Sequence, residues 1–296
     1  MGRWSDVARV VVAFDGSDPG RVALERGIEE SRARSVPLHV VTVVDDILFS
    51  GVSAIRTDAA QAVLEKAHQL ATSVLPSGRV TTRATVGSPV TSILRTCAPD
   101  DLLVVGSRGY GRLGRMLLGS TSSSLVIHAP CPVLVCRGTG GRASGPVLVG
   151  IDGSEASRLA VEFAADIADR DGAMLKIIVA VGPVADALGT IIGPDESALR
   201  TAEALVQDRA AHVREDRPDL AVEPAVVQAH PVDALLSEAE GARLLVVGSR
   251  GRGALASILL GSTGRELAQQ AACSVLVVRR PAMEVEPAAS AASPAS

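Results

Sequence analysis

Gly106-Ser107-Arg108-Gly109, nine residues, then Gly119-Ser120-Thr121 recurs further along the chain as Gly248-Ser249-Arg250-Gly251, nine residues, Gly261-Ser262-Thr263. Glycines at equal offsets, beside hydroxyl residues and directly after an apolar run, suit a backbone whose own N–H groups must approach a phosphate closely. The two signatures lie 142 residues apart. The apolar runs upstream of them, Val10-Val11-Val12-Ala13-Phe14-Asp15-Gly16-Ser17 and Val147-Leu148-Val149-Gly150-Ile151-Asp152-Gly153-Ser154, lie 137 apart. The second copy therefore holds five extra residues, placed between its second and fourth strands, because Leu38 and Leu175 keep the 137 spacing while Pro89 and Pro231 show 142. A period this long marks duplicated domains, since solenoid repeats run to about 20–50 residues.

The division expected from this is a nucleotide-binding domain over 1–138, a linker over 139–145, a second such domain over 146–282 and a tail over 283–296. The linker is glycine-rich without apolar periodicity, and the Ala/Ser/Pro/Glu tail has no means of packing, so both are expected to lack fixed structure. In each copy, short β-branched apolar runs alternate with helical periodicity, the pattern of a parallel sheet covered by helices on both faces. The first copy reads as strands near Val10–Phe14, Leu38–Val43, Arg79–Thr85, Leu102–Val105 and Val133–Cys136. In the second, Leu159, Ala160, Phe163, Ala164, Ile167 and Ala168 recur at the spacing of a crossover helix. The fold class is thus α/β, two tandem Rossmann-like domains, each with a five-stranded parallel sheet. Ligands of such sheets lie outside the carboxyl ends of the strands where the strand order reverses, which makes Asp15 and Gly106 candidates to meet at one crevice. The last strands, Val133–Cys136 and Val275–Val278, are apolar and uncharged, so each invites pairing with another edge. Either the copies join there or each pairs with another chain.

Composition narrows the function classes. With 47% hydrophobic and 21% charged residues the chain is an ordinary globular protein rather than a disordered one. No apolar run reaches the length of about 18 residues that spans a bilayer, and Arg3, Asp6 and Arg9 interrupt the N-terminus, so no membrane association is expected and the expected compartment is the cytoplasm. A net charge of −4 and five aromatic residues argue against nucleic acid. Cys97, Cys131, Cys136 and Cys273 have no CxxC spacing and read as small core residues rather than metal or redox ligands. No catalytic residue and no direct protein ligand for a metal is expected.

From Leu102 through Ile151 there is no acidic residue, while Arg108, Arg112, Arg115, Arg137 and Arg142 fall in that window; between Gly241 and Arg280 only Glu266 is acidic. Local positive potential in an acidic protein suits a polyanion. Ser120-Thr121 and Ser262-Thr263 each open a helical run, where unpaired N–H groups and the positive end of the helix dipole favour phosphate. The same glycines also serve as plain strand-to-helix loop residues, and Asp15 and Asp152 before Gly-Ser read equally well as Asx-turn or cap residues. Gly109-Tyr110-Gly111-Arg112-Leu113-Gly114 matches the dinucleotide fingerprint, but it follows the wrong strand and lacks the acidic residue about 20 positions on. A P-loop is absent, as neither signature ends in Gly-Lys-Ser/Thr.

These residues together, the doubled G-x2-G-x9-G-[ST] signature, the strand-ending Asp-Gly-Ser and the second strand Leu38-His39-Val40-Val41, resemble the universal stress protein family in its tandem form over nearly the whole chain. The resemblance implies an ATP site in each domain, usually with Mg²⁺ carried on the phosphates. The implied nucleotide-binding residues are Ala13, Asp15, Ser17, Val40, Gly106, Arg108, Gly109, Gly119, Ser120 and Thr121 in the first copy. In the second they are Gly150, Asp152, Ser154, Ile177, Gly248, Arg250, Gly251, Gly261, Ser262 and Thr263. Asp15 and Val40, with Asp152 and Ile177, would meet adenosine. Family members pair through the last strand, which implies a homodimer through Val133–Cys136 and Val275–Val278. The implied function is a nucleotide-dependent regulator of stress response or survival; a cAMP or AMP receptor and a slow ATPase are the alternatives.

Overall fold

The computed structural model describes residues 6–45, 53–107, 118–138, 145–185, 191–249, 251 and 260–279. The expected linker, apart from Gly145, and the expected tail lie outside these residues. The first copy runs β1 (Arg9–Ala13), α1 (Asp18–Arg34), β2 (Leu38–Val44), α2 (Ser53–Thr72), β3 (Val80–Val86), α3 (Pro89–Thr96), β4 (Asp101–Gly106), α4 (Ser120–His128), β5 (Val133–Cys136). The second runs β6 (Val147–Ile151), α5 (Glu155–Asp171), β7 (Leu175–Ala180), a small hairpin of β8 (Val184–Ala185) and β9 (Ile191–Ile192), α6 (Glu196–Asp216), β10 (Val222–Val227), α7 (Pro231–Glu238), β11 (Leu244–Gly248), α8 (Ser262–Gln270), β12 (Ser274–Val278). The hairpin stands where the second copy holds its five extra residues.

In the large sheet the strand pairs within each copy are all parallel, in the order β3-β2-β1-β4-β5 and β10-β7-β6-β11-β12. Chain order reverses between β1 and β4, and between β6 and β11, so each copy has one switch point at the carboxyl rim of its sheet. The central strands are buried on both faces, as Val10, Val11 and Val12 illustrate with no exposed surface. Alternate residues feed two cores: Val10 and Val12 pack under α1 and α2, Val11 under α3 and α4. In α5 the expected face is realised, with Ala160, Phe163, Ala164, Ile167 and Ala168 buried. Cys131 and Cys136 are buried and Cys97 and Cys273 half-buried; burial pushes the Cys136 thiol up to about 12 and the Cys273 thiol up to about 11.

Each half is the expected five-stranded parallel sheet, and of the two pairings open to its apolar edge the structure shows the one in which the copies join. β5 and β12 pair with each other, antiparallel, with Val133 opposite Val277, Leu134 opposite Leu276 and Val135 opposite Val275, so the two halves form one ten-stranded sheet. Both apolar edges are satisfied inside the chain, and a homodimer through them is therefore not available to this structure. The adjacent arginines lock the joint reciprocally. Arg137 donates to the carbonyls of Ala268 (2.5 Å) and Gln269 (2.8 Å) at the end of α8, and Arg279 donates to those of Val126 and Ile127 (the latter at 2.7 Å) at the end of α4. Each cation sits at the negative end of the other copy's helix. Arg137, counted in the sequence with the arginines that favour a polyanion, is thus a joint residue.

One further contact breaks the repeat. Glu30, with 1% of its side chain exposed, meets Arg26 at 2.6 Å, Arg34, and across the joint Arg170 at 2.7 Å. At the repeat-related position the second copy has Ile167. Burial alone would raise the Glu30 pKa, but the three guanidiniums outweigh it and hold the carboxyl far below its ordinary value. A carboxyl with a lowered folded-state pKa stabilises fully above its unfolded value, here 4.5, and loses that contribution as pH falls below it. Glu30→Gln is expected to cost about 3–5 kcal/mol at pH 7 in urea unfolding, since it strands buried cations. The gap between variant and parent should narrow steadily as the pH is taken below 4.5.

Candidate phosphate-binding crevices

The loop from β1 to α1 is built by a local turn. Gly16 takes φ of +82°, which L side chains rarely adopt, and Asp15 Oδ1 accepts from the Ser17 N–H at 3.0 Å and the Ser17 hydroxyl at 2.6 Å. Ser17 Oγ in turn accepts from the Gly20 N–H at 3.1 Å, capping α1. The second copy repeats this with Gly153 at φ +79°, Ser154 N–H to Asp152 Oδ1 at 3.0 Å and Ser157 N–H to Ser154 Oγ at 3.1 Å. Ser17, 8% exposed, is turned inward as a cap rather than toward a ligand. Asp15 stays exposed at the rim, with only Oδ1 engaged in the turn.

Gly106 and Gly248, which end β4 and β11, have a reason within the protein for lacking a side chain. A Cβ on Gly106 would stand 2.6 Å from the Pro19 carbonyl oxygen, and one on Gly248 would stand 2.8 Å from the Ala156 carbonyl. The missing methyl lets the first turn of α1, or of α5, rest on the strand end and so draws the two loops of the crevice together. In the second copy this closeness reaches the signature itself: a Cβ on Gly251 would lie 2.5 Å from Asp152 Oδ2. Asp152 and the glycine loop do meet. Arg108, Gly109 and Arg250 lie outside the described residues.

The chain leaves the strand at Ser107 and returns at Gly119, and this loop is tied at its base. The Ser107 N–H donates to Cys136 O at 3.2 Å, and the Gly119 N–H donates to Ser107 O at 2.9 Å. In the second copy Ser249 bonds Val278 O and accepts from the Gly261 N–H, both at 2.8 Å. The Ser122 hydroxyl adds a bond to Gly106 O at 2.8 Å, where the second copy has Gly264. None of these three serines was assigned a role from sequence. Ser107 and Ser249 were nonetheless visible as the fixed hydroxyl member of the doubled signature.

Beyond this base α4 and α8 begin without a side-chain cap. Their N-cap residues are Gly119 (φ −61°, ψ 154°) and Gly261 (φ −68°, ψ 155°), extended conformations that any residue can adopt. By contrast Ser17, Ser154 and Asp195 cap α1, α5 and α6 with their side chains. Glycine at 119 and 261 leaves the first-turn N–H groups open to an external acceptor, in company with exposed Ser120 and Ser262 and half-buried Thr121 and Thr263. These six positions stand together, three at the start of each helix.

Val40 and Ile177 do not stand with them. Their side chains have no exposed surface, and they pair with Val12 and Val149 inside the sheet rather than at its rim. The position that reaches the loop on β2 is Thr42, whose hydroxyl donates to Phe14 O at 2.7 Å. Ala13 and Gly150 are half-buried, and Leu235 of α7 fills the space beside Gly150, where a Cβ would lie 2.7 Å from its Cδ1. Among the described residues no group of three or more His, Cys, Asp or Glu is placed to hold a metal ion.

A duplicated, doubly wound α/β protein with an uncapped helix N-terminus at each switch point defines the class. The model of the universal stress protein family matches residues 7–137 and again 144–279. A universal stress protein of Mycolicibacterium smegmatis is 34% identical over 91% of this chain and 96% of its own length, and universal stress protein Rv2623 of Mycobacterium tuberculosis is 32% identical over 91% and 96%. The crystal structure of a universal stress protein from Archaeoglobus fulgidus superposes with a TM-score of 0.70 at 22% identity, covering 93% of this chain and 99% of that one. The chain belongs to the universal stress protein family.

The signature glycines differ in how closely they are packed. Gly106→Ala or Gly248→Ala should destabilise by about 1–3 kcal/mol through overpacking against the helix backbone. Gly261→Ala, whose Cβ would lie 3.8 Å from its nearest neighbour, Ser249 O, should stay within about 0.5 kcal/mol of the parent. Urea unfolding of the three variants checks both.

Proposed function

We propose that each domain, over 1–138 and 146–282, binds one ATP with its Mg²⁺, and that the protein acts in the cytoplasm as a nucleotide-dependent regulator of stress response rather than as a turnover enzyme. The observation that carries this is the doubled glycine N-cap. Of the helices that begin at the carboxyl rim beside a switch point, α1 and α5 close their N-termini with serine, while α4 and α8 leave theirs open. Phosphates would accept from the amides following Gly119 and Gly261 and from the hydroxyls of Ser120, Thr121, Ser262 and Thr263. The adenosine end would lie toward Asp15 and Asp152. With so few aromatic residues, adenine would be held by backbone and aliphatic groups. Mg²⁺ would be carried by the phosphate oxygens.

Native mass spectrometry of freshly purified protein should find up to two ATP per chain. Gly119→Asp with Gly261→Asp places a carboxylate on each open helix end, capping it and repelling phosphate. Each charged hydrogen bond lost is worth about 1.5–3 kcal/mol, so affinity for MgATP by calorimetry should fall more than tenfold per site. Circular dichroism should stay native. Unchanged affinity in that variant, or AMP or cAMP binding more tightly than MgATP, would overturn the proposal.

A further inference from the structure

We infer that the second domain carries a further site for a small organic anion, a carboxylate or phosphate monoester with a short apolar body, on the face of β6 opposite α7 and α8. A cavity of about 300 Å³ opens there between the N-terminus of α5 and the flank of α6. Ile151 and Leu205 give it apolar walls, Gly153, Ser154 and Ser157 line it beside the start of α5, and two guanidiniums reach it, Arg158 paired with Glu155 at 3.7 Å and Arg209 with Asp208 at 2.9 Å. That volume is at the lower end of small-molecule sites, about 300–1,000 Å³, and apolar walls with a few convergent polar groups are their usual chemistry.

The repeat shows that this space is particular to the second domain. At the position of Ile151 the first domain has the larger Phe14, which is 9% exposed and packed into the core under α1 and α2. Where the second domain has Ser157 the first has Gly20, and 142 residues before Arg209 stands Ala67, 1% exposed. Two changes, one opening room and one adding a hydroxyl, converge on one place, while Lys66-Ala67 of the first copy becomes Asp208-Arg209, which sets the cation one position further along the helix, beside an acid. Ile151 and Gly150 are adjacent on β6 and point to opposite faces of the sheet, the first into the core under α5 and α6 and the second against Leu235 of α7. The cavity thus lies on the α5 and α6 face of β6, and it shares Gly153 and Ser154 with the turn that carries Asp152.

The test uses the full chain with benzoate and phenyl phosphate as probes, inorganic phosphate and benzyl alcohol as controls, followed by ligand-observed NMR in the presence of saturating MgATP. Both probes should bind saturably and more tightly than either control. Affinity should fall about tenfold or more in Arg209→Ala and in Ile151→Phe, which restores the first domain's residue. MgATP binding and circular dichroism should be unchanged in both variants. No saturable binding up to about 10 mM, or equal binding in Ile151→Phe, would overturn the site. Loss in Ile151→Phe with full retention in Arg209→Ala would overturn its anionic character.

Discussion

An apolar strand at the edge of a sheet leaves a row of backbone donors and acceptors with nowhere to go but another edge. Each half of this protein ends on such a strand, and the antiparallel union of β5 with β12 removes both at once. Everything across the midline follows from that pairing. It sets the cores of the two copies side by side as continuous layers, and it brings Arg137 and Arg279 onto the carbonyl ends of α8 and α4. It also places α1 beside α5, so that Glu30 can share itself among guanidiniums from both halves.

The same joint touches the crevices through the main chain. Ser107, the base of the first glycine loop, is bonded to Cys136 at the end of β5, and Ser249 to Val278 at the end of β12. The loop that presents the open end of α4 is thereby hung from the joint strand, and α4 itself ends on Arg279 of the other half. Strand, loop base, helix and arginine form one hydrogen-bonded course in each direction.

Much of this was legible in the chain itself. Strand positions were readable to within a residue or two, because apolar β-branched runs bounded by Gly, Pro and Asp are local signals. Equal spacing of the two signatures was enough to locate the open helix ends. What escaped depends on distant partners. The edge of Val133–Cys136 announces that it must pair but not with what. Arg137 looked like one more positive charge in an acid-free window until its position opposite α8 was known. Gly106 looked like room for phosphate, whereas its neighbour is the backbone at Pro19. Val40 is aligned with the rim by its motif, yet β2 runs on to Val44 and carries the rim past it. Ser17 illustrates a turn that satisfies itself before it can serve a ligand.

Because every strand of the large sheet is parallel to its neighbours within a half and β5 runs against β12, the carboxyl rims of the two halves lie on opposite borders of the ten-stranded sheet. The two mouths therefore look in opposite directions, like the two ends of a through-passage rather than twin windows on one wall. A single rigid body resting on one border can cover one mouth and leaves its twin facing open solvent.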